Sequence, residues 1–366
     1  MRVCAKLDAA GIHPLVTRVL AAWLAPRSAH VIVNGQASVI VPMRDMVYQG
    51  TALGPPLWNT YFAGASCAVG DVGFEQVAYA DDLNSCWGIP RQICDAGAFA
   101  LRRACQQALH CWGRGNAVAF DPSKESMHIL SRRDAVGPNF TLLGTEFDCK
   151  LVMDDAVRSV VTQANCKLRM LLRTQRFHND ADLVLLFKSH ILSFIEFRTA
   201  ALPHASTSVL EPLDAVQRRF LQSVSATELE ALVHFKLAPL HCRRDMAMLA
   251  VIHRTLLGDG PRVFERFFQR DSAPLPPRAP RRHDRHVRDP CQLHWPDYAT
   301  RSALGAVKIY NLLPDSIVSA ENVHVFQRRL QKLVIFHARS DANWSSLFSW
   351  RQPLYAHALR SLRDWQ

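Results

Sequence analysis

None of the ten cysteines lies within five positions of another. The sequence therefore offers no C-x-x-C half-site for a zinc ribbon or knuckle, and no ordered disulfide framework is legible. Free thiols of this kind fit a reducing compartment. Acidic residues are also in deficit, 32 against 43 lysines and arginines, for a formal net charge of +11. That imbalance points to a polyanionic partner, with nucleic acid first and an anionic membrane surface second. Long apolar runs are missing as well. The start, MRVCAKLDAAG, has no apolar core of signal-peptide length, and the most apolar later stretch, LVLLFKSHILSFIEF, is broken by Lys188 and Glu196. The expectation is an intracellular chain, nuclear or cytoplasmic, without secretion signal or membrane span.

What is present suffices for a folded protein. The chain has 366 residues, 49% of them hydrophobic, enough for two or three compact units with their own cores. In the first 25 residues Leu7, Ile12, Leu15, Val16, Val19, Leu20 and Trp23 recur at helical spacing up to Pro26. HVIVNGQASVIV then sets Asn34-Gly35 between two β-branched runs, the pattern of a hairpin whose two-residue turn needs positive φ. QGTALGPPLWNTYF, residues 49–62, is a loop passing into a helix, with Pro55 or Pro56 suited to a first turn that needs no backbone donor. Residues 91–112 carry Ile93, Ala96, Ala100, Ala104 and Ala108 along one side of another helix. AVAFDPSKESMHILS reads as strand, turn and strand, and FTLLGTEFD as one more strand region. Residues 154–233 become strongly helical with regular Arg and Lys, which sets a boundary near 150.

The stretch VAYADDLNSCW, from Val77 to Trp87, is the most informative. Apolar or β-favouring residues flank two adjacent carboxylates, Asp81 and Asp82. Asp is depleted in strands and favoured at turns, so the pair is expected at a hairpin tip. A solvated surface turn accounts for such a pair in most sequences. A divalent cation of the Mg²⁺ type is the chemical alternative, since it takes oxygen ligands and few protein carboxylates. Further on, DSAPLPPRAPRRHDRHVRD, from Asp271 to Asp289, is Pro-rich and then Arg-rich. It reads as a linker or exposed arm in which Arg278, Arg281, Arg282, Arg285 and Arg288 either bind phosphates or keep the segment solvated. His283, His286, Cys291 and His294 are close in sequence, but their spacing matches no zinc pattern. No internal repeat is visible.

QGTALGPPLWNTYF at 49–62, YADD at 79–82, and FDPSKESMHIL with LLGTEF at 120–147 follow one another in an order that resembles the later palm motifs of reverse transcriptases, especially those of non-LTR retrotransposons. LEPLDAVQRRFLQSV and LAPLHCRRDMAMLAVIHRTLLGDGP are similar to the thumb and following helices of that family. IYNLLPDSIVSAENVHVFQRRL resembles the end of its reading frames, so the likeness spans nearly the whole chain. It implies an RNA-directed DNA polymerase using Mg²⁺ or Mn²⁺, with an RNA template, a DNA primer and dNTPs as partners. Phosphoryl transfer of this kind needs positioning and charge neutralisation more than covalent chemistry. By resemblance Asp81 is a catalytic metal ligand and Asp82 a second one. Gln49, Gly50, Tyr79 and Lys124 face template and nucleotide, and Leu143 and Gly144 form the strand that grips the primer. Arg218, Arg219, Arg243 and Arg244 are candidates for the nucleic-acid backbone, with Arg281, Arg282 and Arg285 of the arm.

The family's first catalytic aspartate, in an A-F-D motif just upstream of the stretch resembled by residues 6–38, has no counterpart here, and Asp8 in KLDAAGI is a poor substitute. The resemblance likewise covers no fingers or endonuclease region. The chain is thus expected to represent the C-terminal portion of a polymerase, with the missing N-terminal half as a partner. A non-catalytic nucleic-acid-binding remnant is the second reading. A group II intron maturase would carry a maturase segment after the thumb, and none is seen.

The expected fold class is α+β: a partial polymerase palm, then a mostly helical thumb and C-terminal region. The palm, residues 1–150, is expected to form one antiparallel sheet from 30–42, 77–87 and 118–147, packed by helices near 56–66 and 91–112. Thumb (151–235), helical connection (236–270), linker (271–290) and C-terminal helical region (291–366) follow. An unfilled strand position would leave an exposed apolar edge, so the chain alone should aggregate or need its upstream half.

Overall fold

The computed structural model describes residues 2–25, 27–43, 47, 50–90, 93–271, 282–291 and 297–361. Helix outweighs strand, 56% to 9%, and the strands pair only antiparallel, so the chain is α+β. It divides into two compact units, residues 1–127 and 128–366.

In the first unit, helices α1 (Arg2–Ala9) and α2 (Pro14–Trp23) lead into two small hairpins. Strand β1 (Arg27–Ala29) pairs with β4 (Val41–Met43), and β2 (Ile32–Val33) with β3 (Gln36–Ala37). Between β2 and β3, Asn34 and Gly35 take φ of 51° and 79°, the double positive-φ turn that matches strand twist. Helix α3 (Gly54–Gly70) opens with Pro55 and Pro56 in its first turn. The hairpin β5 (Glu75–Tyr79) and β6 (Asp82–Cys86) follows, then α4 (Asp95–Asn116), which stops at Ala117 in the left-handed region. The core between α3 and α4 is aromatic. Phe62 stacks on Trp58 at 5.2 Å and meets Trp112 edge-on at 5.7 Å. Gly113 is required there, because a Cβ would sit 2.5 Å from the Val118 carbonyl oxygen. The Lys6 ammonium, from α1, donates to the Tyr61 carbonyl at 2.6 Å and lies over the Tyr61 and Trp112 rings.

One expectation is corrected. The strands do not merge into a single sheet; among the described residues there are four separate two-stranded ones. Residues 118–120 belong to no strand, and 128–147 belong to the second unit. Each hairpin satisfies its inner hydrogen bonds with its chain neighbour, and no described strand supplies a third partner. The consequence is exposed apolar strand: Val77, Tyr79 and Ile32 are each 64% exposed and Val33 63%.

The second unit opens with a hairpin of β7 (Phe140–Leu142) and β8 (Thr145–Phe147). Asp148 then turns the chain into α5 (Asp154–Arg173), its carboxylate accepting from the Lys150, Val152 and Met153 amides at 3.0, 3.0 and 2.7 Å. Burial pushes that carboxyl's pKa up, but the amide donors outweigh it and hold it below its ordinary value. Helix α6 (Asp180–Phe187) runs through one π turn, Lys188–Leu192, into α7 (Ser193–Glu196). Helix α8 (Thr207–Ser223) packs along α5, burying Val157, Val160, Ala164 and Leu168 against Leu213, Val216 and Phe220. Phe187 stacks on Phe220 at 4.2 Å.

Helix α9 (Glu228–Phe235) starts with a Thr227/Glu230 capping box and ends at left-handed Lys236. Then come α10 (Leu240–Leu256), α11 (Arg262–Glu265), α12 (Asp297–Arg301), α13 (Ala303–Tyr310), α14 (Asp315–Val318) and α15 (Val323–His337). A second core gathers around α10, α13 and α15, with Tyr310, Phe326, Leu330 and Leu333 fully buried. Inside it His253 stacks on Phe326 at 4.0 Å, with Nδ1 2.9 Å from the Tyr310 hydroxyl and Nε2 3.2 Å from the Ala320 carbonyl. Bidentate ion pairs tie the helices together: Arg243 to Glu196 at 2.5 and 3.1 Å, and Arg244 to Asp214 at 2.6 and 2.8 Å.

The contrast in core size has a measurable outcome, since poorly buried elements open at low free energy. Native-state hydrogen exchange should find the amides of β1–β6 exchanging orders of magnitude faster than those of α5, α8, α10 and α15. Equal protection in both units would refute it.

Acid should weaken the second unit. Burial, aided by nearby cations such as Arg132 and Arg285, lowers His204, His253 and His283 from 6.5 to about 4. These histidines are neutral in the fold but charge readily in the unfolded chain. Their contribution is complete above about pH 6.5 and falls by about 1.4 kcal/mol per pH unit for each as pH drops toward 4. Asp245 acts in the opposite sense, because burial pushes it from 3.8 up to about 8 and its contribution shrinks as pH rises through that window. With three groups against one, guanidinium unfolding should show greater stability at pH 6.5 than at pH 5. Asp245→Asn should gain on the native chain as pH rises to 8.

Candidate functional site

The turn between β5 and β6 consists of Ala80 and Asp81, with Tyr79 paired to Asp82 across its base. Asp81 and Asp82 are both exposed, as expected for carboxylates at a hairpin tip. Ala80 holds φ at 54°, a conformation that a β-carbon disfavours. Three hydrogen bonds fix the hairpin to its helices. The Trp58 indole N–H donates to the Ala80 carbonyl at 2.7 Å, the Gln76 amide to the Ser66 carbonyl at 3.3 Å, and Ser85 Oγ lies 3.6 Å from Cys105 Sγ. The first bond joins two sequence motifs directly, since Trp58 comes from GPPLWN and Ala80 from YADD. The motif spacing gave no sign of it, although an indole N–H beside a turn carbonyl is a common pairing.

The other expected residues fall in several places. Gly50 takes φ of 77°, with open space around it, so a turn alone explains its identity. Gln49 lies outside the described residues. Tyr79 is exposed on β5. Lys124 ends a 3₁₀ turn, Pro122–Lys124, organised by Asp121, whose carboxylate accepts from the Ser123 amide at 3.0 Å and hydroxyl at 2.7 Å; those bonds hold its pKa low. Glu125, next in the chain, is bound by Gln106 and His110, each at 2.6 Å.

In the second unit Leu143 and Gly144 form the β7–β8 turn with φ of 47° and 74°. Beside them is a polar cavity of about 160 Å³ lined by Thr141, Gly144, Glu146, Ser159, Gln163 and Arg198. Arg198, which the sequence did not single out, donates to the Gly144 carbonyl at 3.2 Å and packs on the Phe194 ring at 4.4 Å. A groove of about 480 Å³ between α5 and α8 is bordered by Asn165, Arg169 and Arg219, with Arg219 donating to Asn165 at 2.7 Å. Arg218 pairs with Glu211, while Arg243 and Arg244 are spent on the ion pairs already described.

The basic arm is largely inward-facing where it is described. Arg282 donates to the Leu312, Leu359 and Arg360 carbonyls at 3.0, 2.6 and 2.6 Å, and Arg285 to those of Val318 and Ala320 at 2.7 Å. Arg285 thus satisfies carbonyls at the end of α14, and Arg282 ties the turn after α13 to the 3₁₀ turn at Leu359 and Arg360. Arg278, Arg281 and His294 lie outside the described residues.

Adjacent hard oxygen donors on an exposed turn suit Mg²⁺ or Mn²⁺, which bind through one or two carboxylates and keep positions for phosphate oxygens and water. Among the described residues no group of three or more His, Cys, Asp or Glu side chains is placed to hold a metal ion. Asp81 and Asp82 are thus two carboxylates side by side, without a third acidic, histidine or cysteine side chain grouped with them among the described residues. No described helix is long and apolar enough to cross a membrane. No protein-family model, curated protein or solved structure matches the chain.

Trp58→Phe keeps the stack on Phe62 and removes the donor to Ala80. It should cost the first unit about 0.5–1.5 kcal/mol and raise hydrogen exchange at Asp81 and Asp82 while leaving α4 unchanged. An unaltered exchange profile would show that the indole bond does not hold the turn.

Proposed function

We propose that the chain is the later palm, thumb and C-terminal part of an RNA-directed DNA polymerase of the non-LTR retrotransposon type. The observation that carries this reading is the exposed Asp81–Asp82 tip, tethered through Trp58 to the helix that follows the QGTALGPP block. Asp81 and Asp82 would hold a divalent cation, which when bound supplies charge neutralisation at the attacking 3′ oxygen and the leaving pyrophosphate. Lys124 presents a point charge suited to a triphosphate. Gly50 allows close backbone approach at the template side, and Leu143–Gly144 offers a stiff turn for the primer end. The α5–α8 surface, with Arg169, Arg173 and Arg219, supplies cations for a phosphodiester backbone.

A second reading is favoured by the donor count. With no third acidic ligand among the described residues, the chain would bind nucleic acid without catalysis unless an aspartate arrives from a partner polypeptide. Primer extension on an RNA template with Mg²⁺ and dNTPs separates the two. The polymerase reading expects incorporation by the chain, or by the chain plus an upstream palm fragment bearing the A-F-D motif, and a loss of at least about 10²–10³-fold in Asp81→Asn. Absence of incorporation in both mixtures, with nucleic-acid binding intact, would leave the binding remnant.

A further inference from the structure

Helix α15, VHVFQRRLQKLVIFH, contains no acidic residue. Its apolar face, Phe326, Leu330, Leu333 and Val334, is spent in the core, and Arg329 is held by the Ser316 carbonyl and the Ser319 hydroxyl. What remains outward is cationic. Arg328, Lys332 and Phe336 are exposed at successive i, i+4 positions, about 6 Å apart along the axis, with Gln327 and Gln331 beside them. No carboxylate pairs with Arg328 or Lys332 among the described residues. Gln331 donates to the Lys236 carbonyl at 3.4 Å, which brings the exposed left-handed cap of α9 to the same face. There the Lys188 ammonium donates to the Phe235 carbonyl, so a second lysine joins Lys236 at this end of α9.

A ridge of cations ending in a 54% exposed phenylalanine suits a polymer of phosphates with accessible base faces. An interfacial membrane helix would need its apolar face free, and here that face is buried. Duplex nucleic acid would use the cations but give Phe336 no unstacked base. We propose that α15 is a docking site for single-stranded nucleic acid, with Arg328, Lys332 and Lys236 on the phosphates and Phe336 stacking a base. The proposal uses none of the residues assigned above to the acidic turn or to the α5–α8 surface, and it does not rest on the polymerase reading.

The test is anisotropy of a labelled oligouridylate titrated with the full-length chain over a range of salt. The double variant Arg328→Ala/Lys332→Ala should lower the slope of log K against log salt by about 0.7 for each cation removed. Phe336→Ala should weaken binding about tenfold with the slope unchanged. The swap Arg328→Lys/Lys332→Arg should bind as the native chain does, and a swap that loses binding as the alanine pair does would overturn the proposal in favour of a structural role. Unchanged affinity and slope in both alanine variants would also overturn it. So would a loss seen only on phosphatidylserine vesicles, which would make the partner a membrane. Asp81→Asn should leave this affinity and its salt slope unchanged, so failure of the polymerase reading and failure of this one stay distinguishable.

Discussion

A methyl-bearing residue with φ of 54° holds the most chemically suggestive turn of the molecule in shape. Glycine or asparagine would adopt that backbone more easily, and an L-residue there costs about 1–2 kcal/mol. The Trp58 donor to the Ala80 carbonyl offsets part of that cost and fixes which way the turn faces. The direction of Asp81 and Asp82 depends on it. So does the link between α3 and the hairpin, because the same indole stacks on Phe62 at the centre of the first unit's core.

That core is small. It rests on a few aromatic contacts between α3 and α4, and the hairpins around it present valines and isoleucines to solvent. The second unit has two extensive apolar clusters and two bidentate arginine–carboxylate pairs. The largely buried Arg244–Asp214 pair matters less as net stabilisation than as a constraint: a cation and an anion that each need the other allow few alternative packings. The chain thus joins a loosely built unit with the acidic turn to a firmly built, basic one.

Much of the local structure was legible. Asn34-Gly35 demanded a positive-φ turn and formed one, because two residues settle that choice. Pro55 and Pro56 marked the start of α3, and Asp81 fell in the hairpin turn because Asp favours turns, with Asp82 at the first position of β6. Sheet assembly was not legible. Whether β5–β6 meets another hairpin depends on long-range register, which no periodicity in 77–87 encodes. Arg282 and Arg285 were misleading for a related reason: composition marks a Pro- and Arg-rich stretch as solvated, but the carbonyls that claim these guanidiniums lie on helices far along the chain. Trp58 and Arg198 escaped notice because each acts through one bond to a distant carbonyl.

The Arg282 clamp also has a meaning in time. Its guanidinium donates to Leu312, 30 residues later, and to Arg360, 78 residues later. A nascent chain grows at about 5–20 residues per second, so roughly 4–16 s separate synthesis of the arginine from synthesis of its last acceptor. During that interval α10 and α13 can pack, but the guanidinium must stay hydrated or borrow other partners. The second core is therefore sealed late, by a contact that closes only after most of its apolar surface has been translated.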